Sequence, residues 1–403
     1  MLVTDLPGPN WIDQPRQLIE TLKVLACQPI LAVDTESNSL HAYREQVCLI
    51  QFSTETTDYL VDPLVLEGMP GLGAVFADPQ IEKIFHAAEY DVLCLKRDFG
   101  FHFANLFDTM VAGRILGRSG VGLAAMLEEE FGITVDKHFQ RADWGQRPLS
   151  PPMMAYAQQD THFLIALRDR MKAALQVKGL WELASEDFNR LCTLNTHNGR
   201  ADHNGRADHN GQNDYNGQND HIGNPDDVSC SAFWRISGLQ DLTPRQLTVM
   251  RALYDYRDIQ ARLANKPNFK IMSNQILLEV AQCGPHYLQE LRLLPSMNDS
   301  QIRRYGKALL EAVQRGNQAP SVKRPVPLRL DEQVTGRLEL LRNWRKKAGQ
   351  KMGVESDIVL PRDMLFTIAE ANPVNRDDLA VIMCDVPWRY EHFGQEILTT
   401  LRH

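Results

Sequence analysis

Four polar hexapeptides in tandem, His197 to Asp220, divide this chain of 403 residues into two parts that are expected to fold separately. The units read HNGRAD, HNGRAD, HNGQND and YNGQND, with a glycine in each and almost no apolar side chain. Such a stretch cannot bury enough surface to offset chain entropy, which predicts a disordered linker. His197, His203 and His209 have the right side chain for metal ligation, but repeat expansion in an unconstrained linker accounts for them more simply. A short-period β-helix is excluded because no unit offers an aliphatic position to stack.

Before the repeat, residues 29–62 alternate like three short strands, Ile30 to Val33, Val47 to Phe52 and Thr57 to Val61. The short polar connection Ser53-Thr54-Glu55-Thr56 is hairpin-like and favours an antiparallel start. A fourth apolar stretch, Ile84-Phe85, leads into a helical pattern from Ala87 to Arg97. Further helical patterns cover 108–117, 122–131 and 151–177, the last opened by Ser150 and two prolines, which the first helical turn tolerates. Strands first, then strands alternating with helices, predict an α/β mixed sheet with helices packed on it.

Behind the repeat, the chain matches itself at an offset of 88 residues without a gap. Leu253 meets Leu341, Tyr256 meets Trp344, Arg257 meets Arg345, Leu277 meets Leu365, Pro285 meets Pro373 and Gly306 meets Gly394. Apolar residues at spacings of three and four make both copies helical. Two copies predict two small all-α bundles rather than a solenoid, joined by the Pro-rich, basic stretch 319–327.

Charge separates the two parts as well. Residues 1–232 carry 18 Lys+Arg against 32 Asp+Glu, whereas residues 233–403 carry 25 against 19. An acidic front suits a carboxylate cluster and a basic rear suits a polyanion. No run approaches the ~18–20 apolar residues of a membrane span. Met1 to Pro7 lacks a basic segment followed by an apolar one, so no secretory signal is expected. The seven cysteines form no CxxC pair, which predicts reduced thiols, a cytoplasmic location and no zinc site.

The chemistry is carried by Asp34-Thr35-Glu36, which ends the run Ile30-Leu31-Ala32-Val33. Strand alternation projects Asp34 and Glu36 on one side, about 7 Å apart along the chain. Two such carboxylates repel unless a cation lies between them, and hard divalent ions prefer oxygen ligands. A lone pair of this kind is more often a solvated strand end. Here Asp91 follows a later strand, and Tyr156 and Asp160 stand at i and i+4 on one helix face.

The segments LAVDTES, KIFHAAEYDVLCL and MAYAQQDTHFL resemble the three motifs of the DEDD superfamily of 3′–5′ exonucleases, in its tyrosine-bearing branch. VCLIQFS, LFDTMVAGRILG and RADWGQRPLSPP are similar to the ribonuclease D family within it. FWRISGLQDLTPRQLTVMRALYDYR and GRLELLRNWRKKAG resemble the helicase-and-RNase-D C-terminal (HRDC) domain, doubled as in that family. The likeness covers all of the chain but the hexapeptide insert. The first module departs from the second in having Tyr256 where Trp344 stands.

This resemblance implies a ribonuclease-H-like exonuclease domain at 1–194, a disordered linker at 195–230, HRDC-like bundles at 231–317 and 331–403, and a linker at 318–330. It implies that Asp34, Glu36, Asp91 and Asp160 hold two divalent ions, Mg²⁺ or Mn²⁺, ~3.5–4 Å apart. Tyr156 would orient the attacking water, Glu36 would also meet the terminal ribose hydroxyl, and nucleoside 5′-monophosphates would leave one at a time. His86, Gln51, Trp144 and Arg147 are candidates for substrate contact, each with packing as its rival reading. Asp108 reads as a helix N-cap. The run Arg342 to Lys351 could lie on phosphates or be a solvated face. The expected partner is RNA, tRNA precursors first, met by a monomer without a membrane. The rivals are a DNA exonuclease and an RNA-binding scaffold with a dead site.

Overall fold

The computed structural model describes residues 6–66, 68–194, 232–325 and 331–402, so the hexapeptide linker lies outside the described residues. Six strands form one sheet: β1 (Asn10–Ile12), β2 (Ile30–Ser37), β3 (Val47–Ser53), β4 (Asp58–Val61), β5 (Glu82–Phe85) and β6 (Leu106–Asp108). Their order is β1-β4-β3-β2-β5-β6. Strands β2, β3 and β4 pair antiparallel, as the short connection predicts, and β1, β5 and β6 join parallel to their neighbours. The sheet is mixed, as expected. Strands β1 and β6 escape the sequence reading because three residues are too few to show a period.

Helices α1 (Pro15–Leu25), α2 (Pro70–Ala77), α3 (Glu89–Phe99), α4 (Thr109–Ile115), α5 (Leu123–Phe131), α6 (Pro151–His162), α7 (Leu164–Val177) and α8 (Trp181–Cys192) cover the sheet. Leu31 and Val33 of β2 enter a core with Leu18, Leu25, Leu72, Val92 and Leu95 from α1, α2 and α3. Ala32 enters the opposite core, with Ile84, Phe107, Leu167 and Phe188. Alternation therefore sends Asp34 and Glu36 to the side of Ala32 and Thr35 to the side of α3. Helix α6 lies across β2, β3 and β4 on the Asp34 side.

The single helix expected over 151–177 is broken at Phe163, where α6 ends and α7 begins. The Thr161 hydroxyl donates to Gln158 O at 3.4 Å and meets Ser53 Oγ at 2.7 Å. Back-bonding of this kind competes with the helical ladder and favours a bend. Ser150 caps α6 with Pro151 and Pro152 in its first turn, as the sequence predicts.

The rear part is two helical bundles. The first has α9 (Pro244–Leu263), α10 (Asn274–Cys283) and α11 (Asp299–Gln318); the second has α12 (Glu332–Met352), α13 (Arg362–Ala371) and α14 (Pro387–Leu401). Each of the three helices starts 88 residues after its counterpart. The aligned residues Leu253 and Leu341, and Leu277 and Leu365, are all core residues of their own bundle.

By contacts the chain falls into two compact units. One comprises residues 1–38, 46–211 and 330–403, so it joins the second bundle to the sheet; the other comprises 39–45 and 212–329. In the first unit, Arg389 of α14 is fully buried and reaches Glu186 and Asp187 of α8, each at 2.9 Å. Arg114 of α4 meets Asp357 at 2.6 Å, and Arg190 meets Asp363 at 2.6 Å. In the second unit, the Tyr43 hydroxyl donates to Asp258 at 2.9 Å. Residues 319–325 of the expected 318–330 connection lie along the first bundle, where Arg324 donates to the Leu239 and Leu242 carbonyls. Among the described residues, no helix is long and apolar enough to cross a membrane.

Candidate active site

The carboxyl ends of β2 and β5 place the acids. Asp34, Glu36 and Asp160 offer oxygen atoms that all lie within 4.8 Å of one another. Asp34 and Glu36 come from one face of β2, and Asp160 comes from α6 above it. The two acids of the Asp-x-Glu pair and the acid of Tyr-x-x-x-Asp thus meet as the sequence suggests.

Asp91 reaches the site from the other side of the sheet. It sits in the first turn of α3, is only 5% exposed, and accepts from the Thr35 hydroxyl. Its charge acts on Asp34 and Glu36, but it stands outside the tight group of three. Thr35, the middle residue of the motif, was not singled out in the sequence. Its inward position on the α3 side is what ties Asp91 down.

The electrostatics are one-sided. Burial, first, and the neighbouring carboxylates, second, raise Glu36, Asp91 and Asp160 well above the ordinary carboxylate range. Asp34 is pushed up to about 7, mainly by burial. No lysine or arginine among the described residues contributes to these surroundings. Carboxylates in such a place are costly unless a cation arrives or they stay protonated. Hard oxygen donors with uncompensated charge fit a divalent metal.

Tyr156 shares the α6 face with Asp160 and hydrogen-bonds to it. Burial and the acids around it keep its phenol far above its ordinary value, so it is a donor and not a base at neutral pH. The ring is held by Trp144 at 6.0 Å and by the edge of Phe139 at 6.1 Å.

The four candidates for substrate contact divide. Trp144, expected to meet terminal nucleotides, is 1% exposed and packs with Leu49, Met153 and Tyr156. Arg147, expected beside it, is spent inside the fold: it grips Asp62 at 2.5 and 2.7 Å and donates to the carbonyls of Cys48 at 2.6 Å and Trp144 at 2.8 Å. The loop before α6 folds back on β3, so this aromatic and most of this cation turn inward against the contacts just named. His86 contacts the Thr109 hydroxyl at 2.9 Å, and burial pushes its imidazole down to about 4. Gln51 does lie beneath α6, opposite Asp34 on β3.

Asp108 caps α4 as expected, accepting from Met110 and Val111 at 2.8 and 3.0 Å. It also accepts from Ala87 and Ala88, which fixes the turn before α3 and hence Asp91. In the rear run, Arg342, Lys346, Lys347 and Lys351 are exposed, while Arg345 turns inward to the Leu360 carbonyl at 2.8 Å.

Comparison with known proteins agrees with this geometry. Residues 9–176 match the 3′–5′ exonuclease family model, and residues 246–313 and 334–401 each match the HRDC domain. The exosome complex exonuclease RRP6 of Saccharomyces cerevisiae is 32% identical over 279 residues, which cover 69% of this chain and 36% of that protein. The chain spans less than half the length of the curated relatives it matches. The crystal structure of the catalytic core of RRP6 from Trypanosoma brucei superposes with a TM-score of 0.62 at 29% identity, covering 78% of this chain and 81% of that one. Escherichia coli RNase D, an exoribonuclease involved in structured RNA processing, shares the fold at a TM-score of 0.65 and 23% identity, over 98% of this chain and 99% of that one. Exonucleases of this family depend on divalent metal. With the acids in this order on this sheet, the chain carries a 3′–5′ exonuclease domain followed by two HRDC domains.

Proposed function

We propose that this chain is a metal-dependent 3′–5′ exoribonuclease that trims the 3′ ends of structured RNAs, tRNA precursors first among them. The observation that carries the reading is the convergence of Asp34, Glu36 and Asp160 within 4.8 Å, with Asp91 and Tyr156 beside them. In this reading residues 1–194 form the exonuclease domain, and 231–317 and 331–403 are the HRDC-like domains that hold the body of the RNA. Segments 195–230 and 318–330 join them.

Asp34, Glu36 and Asp160 would hold one Mg²⁺ or Mn²⁺, and Asp34 with Asp91 a second. Bound there, the ions supply an acidified water and offset charge on the phosphoryl group and the departing 3′ oxygen. Tyr156, protonated and braced by Trp144 and Phe139, directs its hydroxyl at the attacking water. Proximity of this kind is worth a large part of a hydrolytic barrier. In this reading Glu36 would meet the terminal ribose hydroxyl as well.

The test uses 3′-labelled tRNA precursor and single-stranded DNA, each with Mg²⁺, with Mn²⁺ and with EDTA. Release of labelled mononucleotide from RNA, with little from DNA, supports the reading. Equal release from both would favour the DNA exonuclease, and no metal-dependent release from either would leave only the binding scaffold. We read the chain as a cytoplasmic monomer. Co-purification with further subunits, in the manner of an exosome component, would overturn that part.

A further inference from the structure

Gln51 is a polar side chain of the acidic face that the site described above does not use. It lies on β3 directly opposite Asp34 of β2, and opposed residues of an antiparallel pair share a face. The residues two before and two after it fix where that face points. Leu49 packs with Tyr156 and Ala157, and Ser53 Oγ meets Thr161 Oγ1 at 2.7 Å. Gln51 therefore sits under α6 between these two layers, on the side of the sheet that carries Asp34 and Asp160.

It is fully buried, and neither Nε2 nor Oε1 has a hydrogen-bond partner. A buried amide without partners costs more than a hydrocarbon of the same shape. Leucine or methionine would fill the space without that cost. An amide retained beside a carboxylate cluster is explained if its partners form when the cluster is loaded.

We propose that Gln51 is a positioning residue for the carboxylate site: once a divalent cation is bound, its amide N–H donates to the Asp34 carboxylate and fixes which oxygen faces the ion. This rests on the metal-dependent reading above. Oε1 is then left to accept from a water of the loaded site. Partners of this kind, one step behind the ligands, typically govern about 10–100-fold of metal affinity.

The experiment is titration calorimetry of the full chain with MnCl₂, for the wild type, Gln51→Met and Gln51→Leu, next to thermal melts without metal. Both variants are expected to melt no lower than the wild type without metal, since each removes an unpartnered amide. Both should bind Mn²⁺ about 10-fold or more weakly, and raised Mn²⁺ should restore their rate of nucleotide release. Unchanged Mn²⁺ affinity in either folded variant would overturn the role of Gln51 and leave the nuclease reading intact. Absence of Mn²⁺ binding by the wild type would overturn both. If one variant fails to fold, the other decides.

Discussion

Two groups of wholly or partly buried carboxylates in this molecule are treated in opposite ways. Glu186 and Asp187 of α8 receive the fully buried guanidinium of Arg389 and the backbone N–H of Trp388. Asp34, Glu36, Asp91 and Asp160 receive hydroxyls from Thr35 and Tyr156 and backbone N–H groups at Asp34 and Asp91, and no ion pair from the described chain. The first group is an internal joint, closed by charge that the second bundle brings. The second is left open, and charge withheld by the chain is what an external ion can supply. Compensation thus separates a structural cluster from a functional one more sharply than burial does. Burial raises the carboxyls of both groups.

The comparison is easiest to break at its open end. Asp160→Ala should abolish Mn²⁺ binding and lower nucleotide release by about 10³-fold, the rate equivalent of several kcal/mol of charge stabilisation. Its metal-free melting temperature should hold or rise, since a repulsive partner is gone, and RNA binding should persist. A metal-free melt well below the wild type would mean that the two clusters are not opposites.

At the closed end the effect is on stability. Arg389→Met orphans two carboxyls, and breaking a buried pair costs about 3–5 kcal/mol. The low end, about 3 kcal/mol, is expected in denaturant titration, because burial already favours protonation of both groups and they can neutralise. Release of nucleotide per folded molecule should be unchanged.

The pH response sharpens the contrast. A carboxyl raised above its unfolded value binds its proton more tightly in the folded state. The stability it contributes is fully present below the unfolded value near 3.8 and is lost as pH rises through the folded one, about 7 for Asp34. Metal-free stability should therefore decline between about pH 4 and 7, while the stabilisation by added Mn²⁺ grows over the same range. Thermal melts of the wild type against Asp34→Asn check this: the variant should show the shallower decline.

Asp108 gives a third treatment, a buried carboxylate satisfied by four backbone N–H groups. That arrangement holds Ala87 at a φ of +64°, a conformation that suits glycine. Ala87→Gly should raise stability by up to about 1 kcal/mol with no change in metal affinity. A loss of affinity would show that the strained turn also sets Asp91.

Much of this was legible in the sequence because it is local. Strands β2 to β5 follow from alternation, α6 from its cap and prolines, and the two bundles from the 88-residue offset. The pairing of Tyr156 with Asp160 follows from helical spacing. The short strands β1 and β6 were not legible, nor was the break at Phe163, which depends on Thr161 meeting Ser53 across the sheet. Trp144 and Arg147 carry the chemistry of a nucleotide contact, and only the fold of their loop turns them inward.

The sequence by itself determined the parts: which residues are acids, which face of a strand or helix each one takes, and how the rear module is doubled. Periodicity and motif order act within a few residues, or copy by copy, so they can be read in one dimension. The tertiary structure decided which charges are compensated. It set Thr35 on Asp91, Arg389 on Glu186 and Asp187, and Gln51 beneath α6 without a partner. Compensation depends on what lies within a few ångströms across the fold, and no spacing along the chain encodes that.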